Sequence, residues 1–340
     1  MRRFSPALLI TAFALTGFAQ DSGPYKILKT EKVGGAGAFD YVYADSAGRR
    51  LYIARRNPNR VTVFDLDTLK SVGEIANTSA AGAAVSTKSG HGFASSKPAA
   101  MWDSKTLALI KTVDVDGGPD GILHDPFNDR IYIFSHRAPH ATVINAADGK
   151  VLGTIDLGGA PEQAATDGKG KIYVDIEDKG NVAVIDAKTM TATAHYDLQG
   201  KGGVCAGLAM DVKNQILFAS CRNPQGMVIL NAKDGKIITT LPIGAGTDGA
   251  VFNPKTKEAF SSQGDGTLTI IKEKSPKDFV VEQNLKTLPT AKTLTFDAKT
   301  GHILLIAAEF GAPTAPTTPG GRAGRGQMVP DSFSILVVGK

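Results

Sequence analysis

The 340-residue sequence carries 38 basic and 33 acidic residues, so its formal net charge is only +5. That excess is too small to indicate a polycationic protein that binds nucleic acid through charge alone. With 38 Gly, 17 Pro, many Val, Ile and Thr residues and no long stretch of helical period, the composition favours an all-β fold.

The first predicted element is a secretory signal peptide over residues 1–19. Arg2 and Arg3 precede the apolar run Pro6–Phe18, which is too short for a membrane span and ends in small residues, Gly17 and Ala19. A buried N-terminal helix is the alternative. We therefore expect one domain over residues 20–340, without a transmembrane segment, that is periplasmic or secreted.

The stretch Gly117–Gly158 reads as four short strands separated by turn signals such as DPFND and NAADGK. The predicted strands are Ile122–His124, Ile131–Phe134, Thr142–Asn145 and Val151–Leu157. A unit of about 40 residues with four strands has the size of one β-propeller blade.

The third strand of this unit recurs along the chain at intervals of about 40 residues. The copies are Val61–Asp65, Ala99–Asp103, Thr142–Asn145, Val182–Asp186, Val228–Asn231 and Leu268–Ile271. All but the last close on an Asp or Asn whose side chain can bond the backbone two residues further on. The spacing predicts six complete blades.

A seventh blade is predicted from two separated parts of the chain. Thr290–Phe296, His302–Ala308 and Ser332–Val338 supply three strands, and Tyr25–Val33 has no hairpin partner of its own. Pairing this N-terminal strand with the last one would close the ring and remove its open edges. We therefore predict a single seven-bladed β-propeller of four-stranded blades; six or eight blades are the alternatives.

The repeat resembles the YVTN or YncE-type family of secreted seven-bladed propellers. The matching residues are Leu51–Ile53, Val61–Asp65, Ile172–Val174 and Val182–Asp186, with the inter-blade turns Gly117–Gly121 and Gly158–Glu162. The resemblance covers Tyr25 to the last residue and implies the fold and export. It implies little about chemistry, because these motifs are structural.

Propeller geometry places two sets of residues on one face. The blades begin with Asp40, Asp120, Glu162, Cys205 and Asp248, and the loops between second and third strands carry Arg56, His136, Arg137 and Arg222, three of them in Arg-x-Pro turns. One interpretation is a site for a zwitterionic or anionic ligand over the channel. The other is that these arginines and carboxylates pair with one another.

Two further features concern this face. A Pro/Gly-rich loop over residues 311–331, which carries Arg322 and Arg325, is predicted to be mobile, either as a lid or as a solvated insertion. Cys205 and Cys221 should face each other across a hairpin, which favours a disulfide over two free thiols that bind a soft metal.

We therefore expect a non-catalytic propeller that binds a small molecule or a protein through this face, without an assigned cofactor and as a monomer. One alternative is a metal-assisted lyase or hydrolase, with Ca²⁺ or Mg²⁺ at the rim carboxylates and His124 or His136 as base. Another is a binder of single-stranded nucleic acid or another polyanion, which the shortage of aromatic residues on the loops weakens.

Overall fold

The computed structural model describes residues 22–35, 37–312 and 326–340. These residues form 28 strands in seven four-stranded antiparallel sheets and contain no helix, so the predicted seven-bladed propeller is confirmed. None of the described residues belongs to a helix long and apolar enough to cross a membrane. The predicted signal peptide and residues 313–325 of the predicted mobile loop lie outside the described residues.

Six blades are built from consecutive strands, in the order in which the chain supplies them. The first three blades contain β2 (Ala38–Asp45), β3 (Arg50–Arg56), β4 (Arg60–Asp65), β5 (Ser71–Ile75), β6 (Ala83–Ser86), β7 (His91–Ala94), β8 (Ala99–Asp103), β9 (Leu109–Val113), β10 (Pro119–Asp125), β11 (Arg130–Ser135), β12 (Ala141–Asn145) and β13 (Val151–Ile155). The next three contain β14 (Pro161–Thr166), β15 (Lys171–Ile176), β16 (Asn181–Asp186), β17 (Thr191–Asp197), β18 (Cys205–Asp211), β19 (Ile216–Arg222), β20 (Gln225–Asn231), β21 (Ile237–Leu241), β22 (Thr247–Asn253), β23 (Glu258–Gln263), β24 (Thr267–Ser275) and β25 (Asp278–Lys286).

The seventh blade combines strands from both ends of the sequence. It contains β26 (Thr293–Phe296), β27 (Ile303–Ala307), β28 (Ser334–Gly339) and, as its outermost strand, β1 (Lys26–Lys32). Strand β1 runs antiparallel to β28, with Lys26 opposite Gly339 and Lys32 opposite Ser334. The ring is therefore closed by the N-terminal strand, as predicted.

The core lies between neighbouring blades. Because each sheet packs against a blade on both sides, both faces of a middle strand are buried, and Leu51 through Ala54 are all almost inaccessible. Aromatic rings bridge adjacent blades, as where the Tyr52 and Trp102 ring centroids lie 5.8 Å apart. The near-continuous apolar runs of the second and third strands follow from this two-sided burial.

The turn between the third and fourth strands repeats around the ring. The carboxylate Oδ1 of Asp65 accepts a hydrogen bond from the Asp67 amide at 3.2 Å, and Asp103 bonds the Lys105 amide at 3.0 Å. Asn145, Asp186 and Asn231 make the equivalent bond. The predicted role of these residues in the turns is confirmed.

The first strand of each blade contacts the first strands of its neighbours around a central channel. We call the face on which these first strands begin the mouth and the opposite face the base. Below the mouth, Gln163 reaches across from β14. Its side-chain amide donates to the Ala250 carbonyl at 3.0 Å, and its oxygen accepts from the Leu208 amide at 3.0 Å. This side chain links three blades inside the channel.

Candidate functional site

One depression at the mouth brings together all of the residues that the sequence pattern selected for ligand binding. Its volume is about 740 Å³, and its lining includes Asp40, Arg56, Asp120, His136, Arg137, Glu162, Arg222 and Asp248. Ser79, Ser96, Lys97, Gly117, Gly118, Pro119 and Lys292 complete the lining. No Phe, Tyr or Trp occurs among these described residues, so the depression offers no aromatic platform on which a base could stack.

Strand register explains why carboxylates ring the mouth. Asp40, Asp120, Glu162 and Asp248 each stand near the start of a first strand, at equivalent places in their blades. The second strand of each blade ends on the same face, which places Arg56 and Arg222 beside these carboxylates. The repeat of the blades thus places residues of opposite charge around the mouth.

These charges form a continuous series of contacts, which we call the mouth belt. Its members are Asp40, Arg56, Asp120, His136, Glu162, Glu177, Arg222, Asp248 and Lys292. The Arg56 guanidinium lies 3.0 Å from Asp120 Oδ1 and 3.7 Å from Asp40 Oδ2. Arg56 thereby joins the first blade to the third across the mouth.

On the other side of the mouth, Arg222 is the centre of the belt. It lies 2.9 Å from Glu177 Oε1, pairs with Asp248 and donates from Nε to the Thr247 carbonyl at 2.8 Å. Asp248 also pairs with Lys292. Every guanidinium nitrogen of Arg222 therefore has an acceptor, so its charge and its hydrogen-bonding capacity are used within the protein.

Burial and charge shift the pKa values of the belt in both directions. Burial raises the pKa of Asp40 to about 6 and also raises those of Asp120 and Glu177. The hydrogen bond to Glu162 raises the pKa of His136 to about 9. Although burial opposes the change, the same bond lowers the pKa of Glu162. His136 is therefore an imidazolium at neutral pH, held between two carboxylates.

Arg137 and Lys97 differ from the other cations of the mouth. Both side chains are exposed and line the depression, yet within the described ranges neither has an ion-pair partner. The backbone of Arg137 is nevertheless fixed, because the buried Ser135 hydroxyl donates to its carbonyl at 2.8 Å. Of the three arginines in the Arg-x-Pro turns, Arg56 and Arg222 therefore pair with carboxylates, and Arg137 does not.

Gly117 allows the chain to pass close to Arg137. Its φ of +71° lies in the left-handed region, and a Cβ there would come within 2.7 Å of the Arg137 carbonyl oxygen. The next amide, that of Gly118, donates to Ser135 Oγ at 2.6 Å. A small residue at position 117 is therefore required for the local shape of the mouth.

Lys292 and Tyr41 belong to the site but were missed by the sequence analysis. Lys292 occupies in the seventh blade the place that Asp120 and Asp248 occupy in theirs, so aligning the last blade would have found it. The Tyr41 hydroxyl donates to Glu162 Oε2 at 2.9 Å. No pattern in the sequence distinguishes Tyr41 from an ordinary strand residue.

Two other histidines and the two cysteines lie away from the depression. His124 stands near the end of β10, where its Nε2 lies 2.9 Å from Asp129 Oδ1, so it cannot share a site with His136. His140 contacts Asp156 at 2.6 Å. Cys205 and Cys221, which face each other in the register of β18 and β19, form a disulfide immediately before Arg222.

Comparison with known proteins identifies the architecture and nothing finer. No family model matches the chain, and no curated protein matches its sequence. Among solved structures, it is similar to that of U3-55K, with a TM-score of 0.71 and 10% identity over 92% of this chain and 98% of the other. The WD40 repeats of RRP9 give 0.71 and 10% over 94% and 100%. A chain of the mitotic checkpoint complex gives 0.70 and 11% over 90% and 95%. The chain therefore has the seven-bladed fold shared by these WD40-repeat structures.

Proposed function

We propose that the protein is an exported, non-catalytic propeller of the YVTN type that binds a small organic anion at the mouth. The observation that carries the proposal is the pair of cations, Lys97 and Arg137, that line the depression without carboxylate partners among the described residues. A ligand bearing a carboxylate or phosphate would supply the partner that the protein does not.

The charge balance of the mouth favours an anion beside Lys97 and Arg137. The mouth belt contains five carboxylates, Asp40, Asp120, Glu162, Glu177 and Asp248, and four groups that carry positive charge, Arg56, His136, Arg222 and Lys292. Its charges therefore nearly cancel. Lys97 and Arg137 add positive charge at the second and third blades. Both residues line the depression that a ligand would enter.

Arg137 is suited to this role by geometry as well as charge. The planar guanidinium can hold a carboxylate or phosphate through two parallel hydrogen bonds. Because its backbone is held by Ser135, fewer degrees of freedom are lost when the side chain binds. Ser96 and Ser79 add hydroxyl groups to the same side of the depression.

Calorimetric titration of the purified protein with citrate, succinate and inorganic phosphate tests the proposal. At least one of these anions should bind, and Arg137→Ala should weaken it about tenfold or more, since a hydrogen bond to a charged group contributes about 1.5–3 kcal/mol. Lys97→Ala should weaken it less, because its ammonium is a single point charge. Binding should also decline with added salt.

The matched control removes an exposed lysine at the base. Lys188 lies in the turn between β16 and β17, far from the depression, and Lys188→Ala changes the net charge as Lys97→Ala does. An equal loss of affinity in Lys188→Ala and Arg137→Ala would mean that the anion responds only to net charge. Unchanged affinity in Arg137→Ala would overturn the proposed site.

A further inference from the structure

A second feature of the mouth is the convergence of Asp120, His136 and Glu162. His136 Nε2 lies 3.2 Å from Asp120 Oδ2 and 3.4 Å from Glu162 Oε1, and the three donor atoms all lie within 4.8 Å of one another. Across residues 22–35, 37–312 and 326–340, no other group of three His, Cys, Asp or Glu side chains converges in this way. The proposed anion site does not require this cluster.

The spacing of the donor atoms matches that of ligands around one metal ion. Nitrogen and oxygen ligands lie about 2.0–2.2 Å from a zinc ion, so two ligands in a tetrahedral arrangement stand roughly 3.4 Å apart. Each carboxylate oxygen of the cluster is close to that distance from His136 Nε2. A metal ion bound there would replace the proton through which the His136 imidazolium bonds the two carboxylates, so metal binding would release that proton.

The other oxygen of each carboxylate is held by a separate donor. Arg56 Nη2 lies 3.0 Å from Asp120 Oδ1, and the Tyr41 hydroxyl donates to Glu162 Oε2 at 2.9 Å. Both carboxylates are thereby oriented with their remaining oxygen toward His136. Outer hydrogen bonds of this kind orient the ligands of protein metal sites and contribute to their affinity.

We propose that Asp120, His136 and Glu162 bind one divalent transition-metal ion, Zn²⁺ or Mn²⁺, at the mouth. The inference goes beyond the proposed function and does not depend on it, although the three ligands line the depression in which the anion would bind. Three protein ligands leave at least one coordination position open. Because Arg137 lines the same depression as the three ligands, an anion held by Arg137 could supply an oxygen to complete the coordination.

The chemistry of the ligands selects the ion. Calcium and magnesium prefer sites made entirely of oxygen, whereas imidazole suits zinc and other transition metals. A mixed set of one imidazole and two carboxylates therefore disfavours the Ca²⁺ or Mg²⁺ expected from the rim carboxylates alone. Ca²⁺ therefore serves in the experiment as the ion that should not bind.

Calorimetric titration of the untagged, EDTA-treated and dialysed protein with ZnCl₂, MnCl₂ and CaCl₂ tests the inference. One equivalent of Zn²⁺ or Mn²⁺ should bind, and Ca²⁺ should not. His136→Gln and Asp120→Asn should each weaken binding at least about tenfold, since removal of a ligand exceeds the 10–100-fold effect of an outer partner. Elemental analysis after dialysis should give the same stoichiometry.

His140→Gln is the matched control. His140 stands on the same loop and contacts a carboxylate of its own, Asp156, outside the depression, so this variant should retain one equivalent. Equal binding by wild type and His136→Gln would overturn the assignment. So would the absence of binding to wild type, which would leave His136 as an imidazolium paired with two carboxylates.

The two proposals at the mouth can fail separately. Anion titrations of protein that has been stripped of metal by EDTA and then dialysed free of EDTA measure the role of Lys97 and Arg137 without metal, and metal titrations in buffer without multivalent anions measure the three ligands alone. Anion binding by the metal-free protein together with no metal uptake in the separate titration would refute the metal site and leave the proposed function standing. Metal uptake without binding of any anion would refute the proposed function and leave a metal site whose ligand is another molecule.

Discussion

The mouth and the base of the propeller both join blades through charged residues, but the base buries them. At the base, the Glu258 side chain is inaccessible and contacts the Tyr25 hydroxyl, Lys340 and Lys272. Asp297 is 2% exposed and accepts two bonds from Arg49, at 2.8 and 2.9 Å. These pairs connect the last blades to each other and to the first.

The charges of the mouth are more exposed and less evenly matched. Arg56 is 45% exposed, His136 is 40% exposed, and some of their contacts are as long as 3.7 Å. Exposed pairs contribute little to stability because water screens them, whereas breaking a buried pair is costly. The base therefore uses its charges to hold the ring together, and the mouth keeps charges that a ligand can contact.

The largest expected effect concerns the covalent bond at the mouth. Replacing both cysteines, as Cys205→Ser with Cys221→Ser, should lower the free energy of unfolding by about 3 kcal/mol, the chain-entropy value for a closed loop of about 15 residues. The separation of 16 residues sets this scale. Urea unfolding measures the loss, and wild-type protein in reductant should unfold at the same midpoint as the variant. Equal stability of oxidised wild type and variant would mean that the bond does not stabilise the blade.

The second prediction concerns a buried pair at the base. Although burial opposes the change, the Arg49 hydrogen bonds lower the pKa of Asp297 to about 2 from an ordinary value of 3.8. Asp297→Asn should therefore cost about 2 kcal/mol at pH 7. Because the folded pKa is depressed, this contribution is fully present above pH 3.8 and is lost as the pH falls toward 2. Urea unfolding at pH 7 and at pH 3 should show a smaller difference between variant and wild type at the lower pH.

The third prediction concerns Asp40 at the mouth. Its substitution should raise the free energy of unfolding, and by the smallest amount of the three. Burial raises the pKa of Asp40 to about 6, so ionised Asp40 opposes folding at neutral pH. The stability associated with neutral Asp40 is fully present below pH 3.8 and is lost as the pH rises through 6. Asp40 is 25% exposed, so water screens its charge and only part of this shift should appear as stability. Asp40→Asn should therefore stabilise the protein by about 1 kcal/mol at pH 7, with little difference at pH 4.

The exposed Asp116, which lies just before β10, provides the control for Asp40. Asp116→Asn makes the same change of side chain outside the depression, so the pH dependence specific to Asp40 is the difference between the two variants. If Asp40→Asn instead destabilises the protein at pH 7 as Asp297→Asn does, then the mouth pairs are structural and the contrast between the two faces is wrong.

The fold could be predicted because its determinants are local and repeated. Five of the six complete blades place an apolar third strand before an Asp or Asn turn, at Asp65, Asp103, Asn145, Asp186 and Asn231, and the run Leu268–Ile271 continues the same spacing into the sixth. The contact between Cys205 and Cys221 could also be predicted, because the turn between β18 and β19 fixes the register. The pairing of β1 with β28 could be predicted because the last blade lacked one strand and the N-terminal strand had no hairpin partner.

The pairing of charges across the mouth could not be predicted. Whether Arg56 meets Asp120 while Arg137 meets no carboxylate depends on the direction of long side chains from blades that are distant in sequence. The same holds for the convergence of Asp120, His136 and Glu162, which come from two neighbouring blades and a loop. Repeat spacing places such residues on one face but does not set their contacts to within an ångström.

The closure of the seventh blade has a practical consequence for surface-based measurements. Tyr25 and Lys340 both contact Glu258, so the residues that flank β1 and β28 lie side by side at the base. A protein immobilised on a sensor through Lys340, or through a linker that precedes Tyr25, would direct its mouth toward the solution. Ligands could then reach Lys97 and Arg137 without obstruction from the support.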